Sequence, residues 1–184
     1  TDVDVLVAED RAEQVQEALL GRGFESLGLP GSPHQMPMLR SPLGGGVEVH
    51  RCIPGLRDRS GAEWVTLKDL VEGELLDDAF EGARVPRREV AAAHALVHGL
   101  AQHGARPQGY PMAWMFADLI DLGVGSGRCD LGQAAIGWVE GDVEVSEIDA
   151  ASELCELLVE GEDPRELDPR SAAGLLLRHL VAGV

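Results

Sequence analysis

The sequence predicts an α+β protein, in which a small mixed sheet with helices is followed by a helical bundle. Three observations support this prediction. Acidic and apolar residues alternate twice before residue 54, an amphipathic helix separates the two alternating runs, and apolar residues recur at helical spacing from Pro86 onward. Because proline suits the first turn of a helix, we place the domain boundary there and predict domains over 1–85 and 86–184.

The predicted elements of the first domain are short and are separated by turns. In chain order they are strands over 1–8, 24–29 and 34–41, with a helix over 9–22 after the first, then a hairpin turn over 42–46, a strand around Glu48, a loop over 53–62, and short helices over 66–70 and 74–80. Pro37 limits its strand to an edge because proline has no N–H to donate. Gly44-Gly45-Gly46 favours the turn.

The second domain is predicted to be helical throughout. Its helices are expected over 87–103, 111–122, 131–139, 146–160 and 168–181, where apolar residues share one face. Ser146 is the expected N-cap of its helix, and Pro169 suits the first turn of the last one.

Composition excludes several classes of protein. The formal net charge is −17, and Lys68 is the only lysine. Binding to nucleic acid depends largely on neutralising phosphates, so this charge argues against a nucleic-acid substrate and favours a small-molecule or protein acceptor. Three widely spaced cysteines argue against a disulfide framework or a structural zinc site. No apolar run reaches the roughly 18 residues of a membrane span, so we expect a cytoplasmic protein without membrane contact.

The first residues, Thr1-Asp2-Val3-Asp4-Val5, carry the first candidate site. Side chains alternate along a strand, so Asp2 and Asp4 share one face, roughly 6–7 Å apart. Two neighbouring acids repel each other, and a divalent cation removes that repulsion. The alternative is a solvent-facing strand whose acids only add solubility.

A third acid follows in a second alternating run, Val47-Glu48-Val49-His50-Arg51. Glu48 and His50 share one face of this strand. If the strand pairs beside the first one, Glu48 meets Asp2 and Asp4 in a cluster that can hold one or two divalent ions for phosphoryl or nucleotidyl transfer. The alternative for Glu48 is an exposed acid on an ordinary strand.

This order of motifs resembles the nucleotidyltransferase superfamily, which shares the minimal catalytic domain of the polymerase-beta type, and within it the branch of uncharacterised nucleotidyltransferases. The resemblance covers Thr1 to about Ile53 and continues loosely over 91–122. It implies that Asp2, Asp4 and Glu48 bind Mg²⁺ or Mn²⁺ and that Glu48 activates the attacking hydroxyl. It also implies a Gly-Ser or Gly-Gly phosphate-binding turn upstream of the acids. We expect that turn, with the first strand and helix, to be missing from this sequence.

The resemblance therefore implies transfer of a nucleoside monophosphate from an NTP to a hydroxyl of a small molecule or protein. Three further residues are candidates for phosphate contacts: His50, Arg40 and Arg51. His50 could instead orient Glu48, and each arginine could be an ordinary surface residue.

Two other hypotheses compete with catalysis by the three acids. The first is a catalytically silent nucleotidyltransferase fold that acts as a binding or regulatory module, for instance in a toxin–antitoxin pair. The second is a metal hydrolase built on His94 and His98, which are four residues apart and share one helix face. Ala95 stands where a metalloprotease helix would have Glu, so a structural role for this pair is favoured.

Overall fold

The computed structural model describes residues 2–56, 64–79, 82–102, 112–135 and 143–182. The described residues form an α+β structure with seven α-helices and small sheets, as predicted. The chain divides into two compact units, the first comprising Thr1–Pro54 with Ala62–Glu74 and the second comprising Gly55–Gly61 with Leu75–Val184. Residues 75–85, which the prediction placed in the first domain, thus belong to the second unit. Within the described ranges, no helix is long and apolar enough to span a membrane.

A mixed four-stranded sheet forms the centre of the first unit. Its strands are β1 (Asp2–Leu6), β2 (Glu25–Ser26), β3 (Leu39–Arg40) and β4 (Gly46–His50). They lie in the order β1-β4-β3-β2, in which β1 pairs in parallel with β4 and the other neighbours are antiparallel. The two strands predicted from their alternation are therefore neighbours in the sheet, although β2 and β3 come between them along the chain.

Helix α1 (Ala12–Leu20) connects β1 to the rest of the sheet and packs against β4. A short 3₁₀ turn, Glu9–Arg11, precedes it, so the predicted helix over 9–22 is confirmed with a tighter first turn. Ala12 and Val49 have no exposed surface. Helix α1 therefore covers the apolar face of the sheet at β4, whereas Val3 on β1 is 60% exposed. The acidic residues lie on the opposite face.

The turn that leads into β4 has the geometry predicted from its glycines. Gly44 and Gly45 have φ angles of +89° and +82°, in the left-handed region that suits glycine. The Ser41 N–H donates to the Gly45 carbonyl over 3.0 Å, which closes the turn. Of the predicted strand over 34–41, Leu39–Arg40 form β3 and Gln35 makes an isolated bridge to His50, while Pro37, which has no N–H to donate, lies between them.

The remainder of the first unit is a hairpin followed by a short helix. Strand β5 (Cys52–Pro54) pairs antiparallel with β6 (Trp64–Thr66), and α2 (Leu67–Glu72) follows directly. The helix predicted over 66–70 is thus confirmed, whereas the segment predicted as a loop begins with a strand. Thr66 and Asp69 form a capping box, in which each side chain accepts a hydrogen bond from the other residue's backbone N–H.

The predicted helix over 74–80 is wrong. These residues include β7 (Leu76–Asp78), which pairs antiparallel with β8 (Arg84–Pro86). Glu74 has a φ of +54°, in the left-handed region that breaks a right-handed helix, so α2 cannot continue into this segment. Pairing with β8 then satisfies the backbone in place of helical hydrogen bonds.

Helices make up most of the second unit, as predicted. They are α3 (Arg88–Val97), α4 (Met112–Asp121), α5 (Leu131–Ala135), α6 (Val145–Glu160) and α7 (Ala172–Ala182), and α3 continues as a π-helix over His98–Gln102. The ends of the predicted helices over 87–103 and 131–139 lie outside the described residues. The starts of the last two helices differ from prediction. Glu144, and not Ser146, caps α6, and α7 begins only after Ser171, whose hydroxyl accepts from the Gly174 N–H.

Candidate metal centre

The parallel pairing of β1 with β4 brings two of the predicted acids together. Asp4 lies directly opposite Glu48 in the register of the two strands. His50, two residues further along β4, shares their face of the sheet. One ligand atom from each of these three side chains lies within 4.8 Å of the others. We call this group the Asp4–Glu48–His50 cluster.

The imidazole of His50 lies between the two carboxylates. Its Nε2 is 3.3 Å from Asp4 Oδ1 and 3.4 Å from Glu48 Oε2. The side chains of His50 and Glu48 are mostly covered, with 15% and 21% of their surface exposed, whereas Asp4 is 64% exposed. The cluster is therefore anchored on β4 and is accessible to a solute on the side of β1.

Asp2, the remaining predicted metal ligand, lies at the start of β1. Its register partner on β4 is Gly46. The side chain of Asp2 is outside the described part of the structure, so its role as a metal ligand stays a prediction.

Arg40, a predicted phosphate contact, lies on β3 at a register position also opposite Gly46. Residues that pair across a sheet share a face, so Arg40 is on the same face of the sheet as the acids. Its side chain is exposed. Arg40 is thus available to an anionic ligand on the acidic face, and its contact with phosphate stays a prediction.

Arg51, the other predicted phosphate contact, has a partner of its own. Its Nη2 donates to Glu13 Oε1 of α1 over 2.7 Å and also contacts Met36 Sδ. This ion pair lowers the pKa of the Glu13 carboxyl below its ordinary value. Arg51 joins the sheet to α1, so a phosphate could recruit it only by breaking that pair.

His34, which was not among the predicted site residues, lies beside the cluster. Its ring stacks on that of His50, with centroids 6.0 Å apart and planes at 21°. Ser32 Oγ lies within 3.0 Å of His34 Nδ1. Burial lowers the pKa of the His34 imidazole, and the neighbouring His50 lowers it further.

His34 reaches this position because its segment pairs with the end of β4. The Met36 N–H donates to the Val49 carbonyl and the Arg51 N–H to the His34 carbonyl, each over 2.8 Å. A bridge between Ser32 and Gln35 closes the turn that carries the histidine. This pairing depends on residues distant in sequence, and only the Pro33-His34 turn signal could have indicated it.

His94 and His98, the histidine pair on α3, contact each other edge to face with ring centroids 5.6 Å apart. Among the residues that the structure describes, the Asp4–Glu48–His50 cluster is the one group of three or more His, Cys, Asp or Glu side chains close enough to share an ion. The described geometry thus favours the sheet, and not α3, as the place for a metal.

Comparisons with protein-family models, with curated proteins and with solved structures found no match for this chain.

Proposed function

We propose that this protein is a metal-dependent nucleotidyltransferase that moves a nucleoside monophosphate from an NTP to a hydroxyl of a small molecule or a protein. The observation that carries the proposal is the register of the parallel pair, in which Asp4 of β1 lies opposite Glu48 of β4. Two acids from separate strands thus meet on one face of a mixed sheet. The resemblance to nucleotidyltransferases implies such a meeting between the paired acids Asp2 and Asp4 and the third acid, Glu48.

The side chains present fit a divalent cation. Carboxylate oxygens are preferred ligands of Mg²⁺ and Mn²⁺, and one oxygen each of Asp4 and Glu48 lies within 4.8 Å of the other. When bound, the ion would neutralise phosphate charge in the reaction. Asp2, Asp4 and Glu48 are the residues that we propose to hold it.

The remaining roles follow from position on the sheet. Glu48 is a carboxylate on the covered side of the cluster and would accept the proton of the acceptor hydroxyl. Arg40 shares its face of the sheet and would attract the phosphates of the NTP, while pyrophosphate is the leaving group. The net charge of −17 disfavours a polynucleotide acceptor and leaves a small molecule or a protein.

Calorimetric titration of ATP and GTP in the presence of Mn²⁺ tests this proposal. The wild type should bind a nucleotide only when the metal is present, and Asp4→Asn should abolish that binding because one ligand oxygen loses its charge. The matched control is Asp78→Asn, which removes the same charge from a side chain that is 98% exposed and lies on β7, outside the cluster.

Metal-dependent binding that Asp4→Asn abolishes and Asp78→Asn preserves would support the proposal and justify a screen of acceptors. If the wild type binds Mn²⁺ but neither nucleotide, the nucleotidyltransferase activity is rejected. The catalytically silent binding module would then be the better account, and the search would turn to a protein partner.

A further inference from the structure

We infer that His50 is itself a metal ligand through Nε2, and that the cluster consequently prefers a first-row transition-metal ion to Mg²⁺. The inference rests on the proposed function for the existence of a metal centre at Asp4 and Glu48. It does not depend on whether the centre catalyses nucleotidyl transfer. It assigns to His50 a role different from the phosphate contact that the sequence predicted.

The spacing of the three ligand atoms carries the first part of this inference. His50 Nε2 is 3.3 Å from Asp4 Oδ1 and 3.4 Å from Glu48 Oε2. Ligands at about 2.1 Å from a tetrahedral ion are about 3.4 Å apart, so both distances from Nε2 suit a shared ion, and the Asp4 and Glu48 oxygens lie within 4.8 Å of each other.

Hydrogen bonding accounts for only part of the same arrangement. The contact between His50 Nε2 and Asp4 Oδ1 is a hydrogen bond of 3.3 Å, slightly longer than the usual range of about 2.7–3.2 Å. A single Nε2–H can point at only one of the two carboxylates, so it cannot bond to both at once. A metal ion among the three atoms is attracted by both acids at once.

The position of His50 is fixed before any ion binds. Its backbone carbonyl accepts from the Val7 N–H over 3.0 Å, and Gln35 forms a bridge with it from the other side. The stacked ring of His34 covers the imidazole, of which only 15% is exposed. A side chain held in this way loses little conformational entropy on binding a metal.

The chemistry of imidazole carries the second part. Mg²⁺ is a hard cation that prefers oxygen ligands in octahedral geometry, whereas imidazole nitrogen suits ions such as Zn²⁺, Fe²⁺ and Ni²⁺. A centre with one nitrogen and two carboxylate ligands should therefore bind Zn²⁺ or Mn²⁺ more tightly than Mg²⁺, because the affinity of mixed ligand sets rises along the transition series.

Pulsed EPR of bound Mn²⁺ tests the nitrogen ligand directly and needs no activity. The wild type should show the modulation of a coordinated ¹⁴N, and protein labelled with ¹⁵N-histidine should show the corresponding ¹⁵N signal. His50→Gln should lose the modulation, whereas His94→Gln, which changes a histidine on α3, should keep it. If His50→Gln does not fold, the labelled wild type still shows whether a histidine coordinates the ion, and absence of a ¹⁵N signal overturns the inference.

Calorimetric titrations with Zn²⁺ and Mg²⁺ test the selectivity. Removing a group that only orients a metal ligand lowers metal affinity about 10- to 100-fold. His50→Gln removes a ligand itself, so it should lower the Zn²⁺ affinity by at least about 10-fold. The Mg²⁺ affinity should change by less than about threefold, because Mg²⁺ does not depend on the nitrogen.

The outcomes separate this inference from the proposed function. If Mn²⁺ binds without a nitrogen signal, or if the signal persists in His50→Gln, His50 is not a ligand and the inference is overturned while the carboxylate centre stands. If neither Mg²⁺, Mn²⁺ nor Zn²⁺ binds the wild type, both the inference and the metal centre of the proposed function are overturned.

Discussion

The two compact units differ in the range of the contacts that define them. The first unit depends on pairing between segments that are distant in sequence, since Asp4 lies near Glu48 only when β1 pairs with β4. The second unit consists mainly of helices, whose backbone hydrogen bonds are local, and the helices then bury residues such as Leu96 and Leu154. The candidate site belongs to the unit that is built from distant pairings.

This difference indicates how each unit should respond to substitution. A change in the sheet unit acts on the register that assembles the cluster, so metal binding should fall together with stability. A change in the helical unit should alter stability with a smaller effect on metal binding, because all three cluster residues lie within the first unit. The predictions below test this separation.

Gly125→Ala should have the largest effect, in the helical unit. A methyl group at this position would lie 2.6 Å from the backbone of Cys155 in α6, and the glycine has a φ of +80°. Overpacking and left-handed backbone strain together should lower the free energy of unfolding by about 3 kcal/mol. Urea denaturation followed by circular dichroism measures this loss.

Gly127→Ala is the matched control for the same loop. Gly127 has a φ of +73° with open space where the methyl group would lie, so only the backbone strain of about 1 kcal/mol should appear. Mn²⁺ binding by either variant should remain close to that of the wild type wherever the protein is folded. Loss of metal binding in folded Gly125→Ala would contradict the separation of the two units.

The helix caps allow the same substitution to be compared between units. Thr66 caps α2 in the first unit, and Ser171 accepts from the Gly174 N–H at the start of α7 in the second. Thr66→Ala and Ser171→Ala should each cost about 1 kcal/mol of stability. The cost should be larger for Thr66, because its hydroxyl also donates to the charged Asp69 carboxylate, whereas that of Ser171 donates to the neutral Asp168 carbonyl. Urea denaturation of both variants checks the order, and an equal or larger cost for Ser171→Ala would contradict it.

The cysteines report on the opening of each unit separately. Burial raises the pKa of the Cys155 thiol to about 12, and it also raises the pKa values of Cys52 and Cys129. The thiolate is the reactive form, so all three should react slowly in the folded protein, with Cys155 the slowest. Pulsed alkylation with iodoacetamide, followed by peptide mass spectrometry across a urea series, measures each rate. Equal midpoints for Cys52 and Cys155 would show that the units open together.

Glu13→Gln should have the smallest effect, in the sheet unit. The hydrogen bond from Arg51 lowers the pKa of the Glu13 carboxyl, so the native state binds a proton less readily than the unfolded chain. The resulting stability is present above the ordinary carboxyl pKa and is lost as the pH falls through the lowered value.

Urea denaturation at about pH 7 and at about pH 3 measures this dependence. Glu13→Gln should be slightly less stable than the wild type at neutral pH, and the difference should vanish in acid. Because the pair is exposed, the effect should be small. A difference that grows in acid would contradict the assigned sign.

The sequence predicted those parts of the molecule whose signals are local. Alternation identified β1 and β4, the glycines at 44–46 identified the turn between β3 and β4, and helical periodicity identified α3, α4 and α6. It also predicted that Glu48 would meet Asp2 and Asp4 if its strand paired beside the first, and the structure places Glu48 opposite Asp4.

Elements that depend on distant partners were not predictable in this way. The segment 74–79 contains Glu, Leu and Ala, which favour a helix, but Glu74 is left-handed just after α2 and residues 76–78 pair with 84–86. His34 stacks on His50 only because the end of β4 pairs with its turn. Arg51 was expected near phosphate, yet its guanidinium binds Glu13, a partner that lies on α1 and that no local pattern indicates.

The central claim is that the Asp4–Glu48–His50 cluster holds a divalent cation. Crystals of the protein grown with Mn²⁺, measured on the low- and high-energy sides of the manganese absorption edge, test it most directly. The account predicts an anomalous difference peak, present only above the edge, within bonding distance of a carboxylate oxygen of Asp4, one of Glu48, and His50 Nε2. A fully occupied manganese peak elsewhere, for example beside His94 and His98, with none at the cluster, would contradict the account.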